Sequence, residues 1–538
     1  MRRLLLALCA AAAGLTLGIG PAAAADPPTE FGTDWHDPVT AGPPVATPHT
    51  PSCTVTVADT EFRDFTPYRG TYTPPKGCGD RWNKVVLRLE GSVAGRQFDR
   101  LGYLRIGGVE VLRTSTPEPS PQGVTWRVEK DVTRYAPVLR AGQPVEMLIG
   151  NVVDATYTGV IKVRATLTFY TAKGRVPQAH TPDRVLTLDG AHTEGAVYEG
   201  RLTTPRNSER IVAEVYATGS GGGCEEFWYL AVPEAAPYSC KAKDGPHREV
   251  RVSVDGRLAG IASPYPTVWT GGWSNPFLWY VIPGPRAFDV RPVEYDLTPF
   301  AGVLNDGKPH RIAVSVAGVP EGQSGWDTPV NILVWQDAKS AVVTGAVTRY
   351  QEDAPRHTAE YQAGAPHRVA AEARHALTVS GYLTTSHGRV TTTVDRRLAA
   401  TSLHRWKDGE TTDGLRARWT DDETVTVAGR GPATVNTAHR VYSMEGVTTV
   451  DPGDRLNTVL TMGDQADLRT VRAGKHLDWS RLDDTYTGNA SYTQNVPREQ
   501  RHATGVSRER YRLLGPGACY DHTLASVQGE LTEDRLGC

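Results

Sequence analysis

The sequence predicts an all-β protein: two consecutive antiparallel β-sandwiches followed by a further β-rich module. Three observations carry this expectation. Gly 54 and Pro 38 in 538 residues punctuate many short runs rich in Val, Thr and Tyr, and long helical periodicity is hard to find. The run 161–170 sets Lys162, Arg164 and Thr166 against Val163, Ala165 and Leu167, the period of a strand with one buried face. One signature occurs twice: Asp131, Thr133, Tyr135, Val138, Leu139, Gly142 and Pro144 align without a gap on Asp296, Thr298, Phe300, Val303, Leu304, Gly307 and Pro309. In each copy Asp and Thr can cap a short helical turn, and the aromatic and Val-Leu pair can pin it to a core. Upstream, Ile106-Gly-Gly108 pairs with Val254-Asp-Gly256, so an internal duplication of one all-β unit is expected.

The elements follow in order. Residues 1–25 read as a secretory signal peptide: Arg2 and Arg3, an apolar run from Leu4 to Ile19, then small residues ending before Asp26. Residues 26–50, rich in Pro, Thr and Ala, read as an extended, loosely held lead-in. Strands are expected at 53–57, 84–90, 101–106, 109–112, 145–149 and 161–170. The sandwiches are placed at 51–175 and 180–345, and the third module at 346–538. No later stretch is long and apolar enough for a membrane span, so no stable membrane association is expected and the mature chain is expected to be secreted.

Six cysteines remain after the leader, in three local couples: Cys53 and Cys78, Cys224 and Cys240, Cys519 and Cys538. In an oxidising compartment they are expected to pair within the couples, although sequence alone leaves other connectivities open. No C-x-x-C or H-x-x-x-H cluster suggests zinc, and no metal or cofactor is expected. A formal charge of −2 argues against a nucleic-acid partner.

Four segments could carry chemistry. In GRQFDR (95–100), Asp99 precedes an apolar strand and is flanked by Arg96 and Arg100, which could keep it ionised; a structural ion pair is the plainer alternative. In GSGGGCEEFWY (219–229), Glu225 and Glu226 lie between a glycine run and three aromatics including Trp228, a pairing suited to sugar rings and their hydroxyls. The segment 265–280 holds Trp269 and Trp273, either a carbohydrate wall or packed rings. Asn151 and Asp154 interrupt two strands and could meet a substrate amide, or form an Asx-turn. Serine-nucleophile candidates are weak: the sequence has no G-x-S-x-G, no Walker loop and no dinucleotide fingerprint.

Long motifs in register resemble the peptide-N-glycosidase A family: GRQFDRLGYLRIGGVEVLRTSTPEP (95–119), TWRVEKDVTRY (125–135), IGNVVDATYTG (149–159), EEFWYL (225–230), YPTVWTGGWSNPFLW (265–279), YDLTPF (295–300) and SHGRVTT (386–392). A more distant likeness is to peptide-N-glycosidase F, with paired jelly-roll sandwiches and the active site between them. The resemblance implies jelly-roll-like sandwiches and Asp99 and Glu226 as the catalytic acids. It places Asn151 where a third acid is found in the distant relative. It implies a secreted glycoamidase that cuts the amide between asparagine and the first N-acetylglucosamine of N-glycopeptides or unfolded N-glycoproteins, with Arg96 or Arg100 near the developing oxyanion. A non-catalytic carbohydrate-binding protein and a glycoside hydrolase cutting within the glycan are the alternatives.

Overall fold

The structure, a computed structural model, describes residues 28–220, 224–269 and 275–538. Residues 1–25, where a leader is expected, and Trp273 lie outside the described residues. The fold is all-β, and every paired strand is antiparallel to its neighbour.

The first sandwich pairs two four-stranded sheets. One runs Ser52–Phe62, Ile161–Thr171, Trp82–Val93, Val124–Asp131; the other runs Tyr68–Tyr72, Gln143–Ile149, Leu101–Ile106, Val109–Ser115. The alternation expected in Ile161–Thr171 is present: Ile161, Val163, Ala165, Leu167 and Phe169 are buried, while Lys162 and Arg164 face out. Tyr72 of the second sheet stacks on Phe169 of the first, with centroids 6.3 Å apart. Burying such an aromatic pair joins the sheets by more than its area alone.

The second sandwich repeats this order. Arg184–Leu186, Val330–Gln336, Ser208–Val215 and Val293–Asp296 form one sheet. Asp189–Glu194, Val197–Leu202, His310–Ala317, Glu249–Val254 and Arg257–Ala262 form the other. The duplicated signature adopts the same structure twice, a 3-10 turn running into one helical turn: Thr133–Tyr135 with Ala136–Leu139, and Thr298–Phe300 with Ala301–Leu304. Asp131 and Asp296 each accept the backbone N–H two residues on, at 3.0 Å. Thr133 and Thr298 each accept a strand N–H, from Val85 at 2.9 Å and Ile211 at 3.2 Å. The equivalent hairpins turn at Gly107-Gly108 and Asp255-Gly256, all four residues at positive φ, as a two-residue turn of primed type requires.

Residues 344–537 form a ten-stranded meander in strict sequence order, with strands of up to 19 residues. Its buried face receives the second sandwich. Trp406 donates to the Pro237 carbonyl at 3.0 Å, Tyr238 donates to Asp413 at 2.6 Å, and Tyr486 donates to the Leu278 carbonyl at 2.5 Å. Arg286 makes a two-pronged ion pair with Asp464, both bonds 2.7 Å, and Arg396 does the same with Asp421 at 2.8 Å. Removing one member of such a buried pair costs about 3–5 kcal/mol, because the other is left charged and dry.

The lead-in departs from the expected loose segment. Its described residues form a strap. Phe31 and Trp35 are buried, Phe31 N–H donates to Ala503 and His36 N–H to Gly529 of the meander, and Asp37 accepts from Thr125 of the first sandwich. Two aromatics in an otherwise Pro-rich run supply the apolar area that holds it.

All three local cysteine couples are bonded: Cys53–Cys78, Cys224–Cys240 and Cys519–Cys538. Among the described residues, no helix is long and apolar enough to cross a membrane.

Candidate active site between the sandwiches

Asp99 sits in the short connection from Trp82–Val93 to Leu101–Ile106, and that connection is rigid. Gln97 is 5% exposed and donates to the carbonyls of Val152 (2.9 Å) and Gly159 (3.1 Å). Arg100 donates its backbone N–H to Thr116 at 2.9 Å and its Nη2 to Gln97 at 2.5 Å. Gly95 has φ +94°, and a Cβ there would lie 2.6 Å from Thr158 Oγ1, so the loop can close only with glycine. The Arg100 Nε–H is shut off from solvent and has no hydrogen-bond partner among the described residues.

A second acid lies beside Asp99. The hairpin register pairs Leu101 with Ser115, and Arg100 and Thr116 continue it through the Thr116 N–H, which donates to Arg100 at 3.0 Å. Glu118 follows and is 7% exposed. Burial first, and then the negative charge of Asp99, hold its carboxyl well above the usual range; a hydrogen bond from Tyr280 works the other way. Sequence reasoning missed Glu118. Its signal was the Gly-Gly turn at 107–108, which folds the chain back and brings 118 toward 99.

Glu226 comes from the second sandwich, in the equivalent connection between Ser208–Val215 and Glu249–Val254. It stands on the 3-10 segment Cys224–Leu230, which the Cys224–Cys240 bond fastens at its start. Burial and, second, the charge of Asp99 raise its carboxyl to about 7. The structure therefore brings Asp99 and Glu226 into one electrostatic neighbourhood, one acid from each copy of the duplicated unit.

The other expected ligands sort differently. Glu225 is 1% exposed and is claimed by Arg248, with bonds of 2.8 and 2.7 Å, and by the Trp326 N–H at 2.5 Å. It braces the segment and corrects the expectation of a substrate contact. Trp228, also expected at the sugar, packs between Trp326 and Trp419, 6.5 and 5.4 Å away, in the core shared with the meander. Trp269 is 5% exposed and donates to the Gly219 carbonyl at 3.3 Å. Asn151 has no exposed surface; its amide donates to Phe62 (2.9 Å) and Gly159 (3.1 Å) and its oxygen accepts from Val152 (2.9 Å). Asp154 forms the Asx-turn, accepting from Thr156 and Tyr157 at 2.7 Å, and those N–H bonds lower its carboxyl. Arg96 is exposed above the Tyr157 ring, 5.7 Å from its centre. The open ring next to Asp99 is Phe98, 47% exposed and 5.3 Å from Tyr157. Among the described residues, these two rings, rather than Trp228 and Trp269, are the aromatic surface beside the acid.

Among the described residues, one group has the spacing to hold a metal ion: Glu209, Asp337 and His387. It includes none of the three acids. Asp337 already accepts from Ser386 N–H, Ser386 Oγ, Ser340 Oγ and Lys339 N–H, which suits a clamp on the 386–388 turn.

A duplicated β-sandwich with one acid of the same neighbourhood from each copy defines a class: an all-β protein of two repeated antiparallel sandwiches with a carboxylate pair where they adjoin. The chain belongs to the family described as peptide N-acetyl-beta-D-glucosaminyl asparaginase amidase A, whose model matches residues 38–353. It is 31% identical over 338 residues to the peptide-N4-(N-acetyl-beta-glucosaminyl)asparagine amidase A of Prunus dulcis, covering 57% of this chain and 58% of that protein. The chain thus spans little more than half the length of this curated relative. Among solved structures it is similar to one titled "Structure of PNGF-II in P21 space group", at 15% identity and a TM-score of 0.34, over 53% of this chain and 66% of that one, a likeness too loose to bear on the site.

Proposed function

We propose that this protein is a glycoamidase, hydrolysing the amide that joins an asparagine side chain to the first N-acetylglucosamine of an N-linked glycan. What supports this reading is that Glu226 lies near enough to Asp99 for its charge to raise the Glu226 carboxyl, in a chain whose family is named for that activity. Water must attack the amide carbon and the departing glycosylamine must gain a proton. Asp99 takes the proton of the attacking water. Glu226, which burial and Asp99 leave protonated up to about pH 7, is the group able to donate one to the leaving nitrogen. Arg96, the exposed guanidinium three residues before Asp99, is the cation a developing oxyanion can reach. Phe98 and Tyr157 offer a stacking surface to the sugar. The products are a peptide bearing aspartate and a glycosylamine that loses ammonia in water. Three disulfides fit an oxidising compartment and the secretion expected from residues 1–25.

The test is incubation with a denatured N-glycopeptide, followed by mass spectrometry of the peptide. Conversion of asparagine to aspartate is the expected result. A single sugar left on asparagine would mean a glycosidase, and an unchanged peptide retained on the protein would mean a binding module.

A further inference from the structure

The acid cluster has a side that neither sandwich supplies. The Tyr280 side chain, near enough to Glu118 to favour its charged form, carries a ring that lies flat on Trp35 of the strap, with centroids 4.2 Å apart and planes within 1°. On Trp35 sits the guanidinium of Arg498, 4.9 Å from the ring centre. Arg498 opens the 3-10 turn Arg498–Gln500, which joins two strands of the meander, Lys475–Thr493 and Thr504–Gly515. That turn is well held: Thr493 N–H donates to Arg501 at 2.8 Å, Arg455 donates to His502 at 3.1 Å, and Phe31 N–H donates to Ala503 at 2.6 Å. Asp34 of the strap accepts from Ser120, two residues beyond Glu118, at 2.5 Å. A layered stack, Arg498 on Trp35 on Tyr280, therefore ends at Glu118.

We propose that Arg498 is a positioning residue for the acid site, acting through Trp35 and Tyr280 to hold Glu118 beside Asp99. The meander, which extends beyond the family-matched residues 38–353, is thereby part of the working site. The groups that face Glu118 are Asp99 from its own sandwich, Tyr280 from the second, and Arg498 and Arg501 from the meander, with Asp34 facing Arg498. Asp99 keeps the proton on Glu118 and the two arginines draw it off, so removing either arginine moves its ionisation to higher pH.

The kinetic part of this inference rests on the proposed amidase activity; the spectroscopic part does not. The full chain would be made as wild type, Arg498→Gln, Arg498→Lys and Arg501→Gln, with Glu118→Gln to identify the Glu118 carbonyl band in infrared pH titrations. Arg498→Gln is expected to shift that titration upward by about one unit and lower kcat about 10-fold with little change in KM. Arg498→Lys should recover much of both. Arg501→Gln, which leaves the Trp35 stack intact, should move the titration the same way by less. The proposal is overturned if Arg498→Gln leaves the titration unmoved. It is equally overturned if Lys and Gln lose thermal stability alike while the pH profile stays that of wild type, since that is packing alone. A wild type inactive on glycopeptides would refute the amidase reading and leave the titration to decide this one.

Discussion

The two sandwiches use the same connection for opposite purposes. In the first, residues 94–100 pass from one sheet to the other by a short route, and backbone bonds to Gln97 and Arg100 hold Asp99 at the edge. In the second, residues 216–248 take a long route, with a disulfide, a 3-10 segment and a buried Glu225–Arg248 pair before the chain rejoins the sheet. The next connections behave alike: 116–123 brings Glu118 and 263–292 brings Tyr280, near enough to favour the charged form of the Glu118 carboxyl. Duplication placed equivalent edges opposite one another, and divergence of length in one copy let it reach the other. The core kept its order while the loops changed, as expected when core positions are fixed by packing and loops are not.

Substitutions can break this comparison. The largest effect is expected at the short connection: Asp99→Asn should lower kcat by about 10³-fold or more with an unchanged circular dichroism spectrum and melting temperature, because an amide cannot accept a proton from water. A variant retaining full rate would remove Asp99 as the base.

Glu226→Gln in the long connection should cost about 10²-fold and abolish the loss of activity expected of wild type as pH rises through about 7. Stability should move the opposite way. The folded carboxyl binds its proton more tightly than the unfolded one, so its contribution is fully present below the unfolded value of 4.5 and lost as pH rises through about 7. The Gln variant should therefore match wild type at low pH and be the more stable at pH 8, by something on the order of 3 kcal/mol. Thermal melts at the two pH values decide it.

Its neighbour sharpens the contrast. Glu225→Gln leaves Arg248 buried and poorly paired, and should cost about 3–5 kcal/mol in urea unfolding, while the folded fraction keeps its pH profile. A profile shifted like that of Glu226→Gln would mean that Glu225 takes part in the chemistry. A smaller effect separates the disulfides. Breaking Cys224–Cys240 or Cys53–Cys78 by paired serines should cost about 2–4 kcal/mol each. Only the first is expected to lower kcat, because only it anchors the segment under Glu226.

Much of this molecule could be read without coordinates. The capped turn, the hairpins and the alternating strand Ile161–Thr171 depend on residues close together in the chain, whose spacing must match a helical or a pleated period. The three cysteine couples were legible for the same reason, being local. Asp99 and Glu226 came from a motif resemblance rather than from periodicity. The errors share a physical origin. Trp228 and Trp269 have the composition of a sugar wall, but a large ring goes where it can bury the most area, and the meander offered Trp228 that place. Glu225 and Glu226 are adjacent, and only the position of Arg248, 23 residues on from Glu225, turns that one inward and leaves the other half-buried near Asp99.

The sequence by itself determined the all-β class, the duplication, the disulfide couples and a short list of acids, since each of these is written in local spacing or in a motif. Tertiary structure alone decided that Glu118 lies near Asp99, that Phe98 is an exposed ring beside it, that residues 28–39 form a strap, and that Arg498 of the meander lies on Trp35 of that strap. Those outcomes depend on which distant surfaces exclude water from one another, and burial of that kind has no period along the chain.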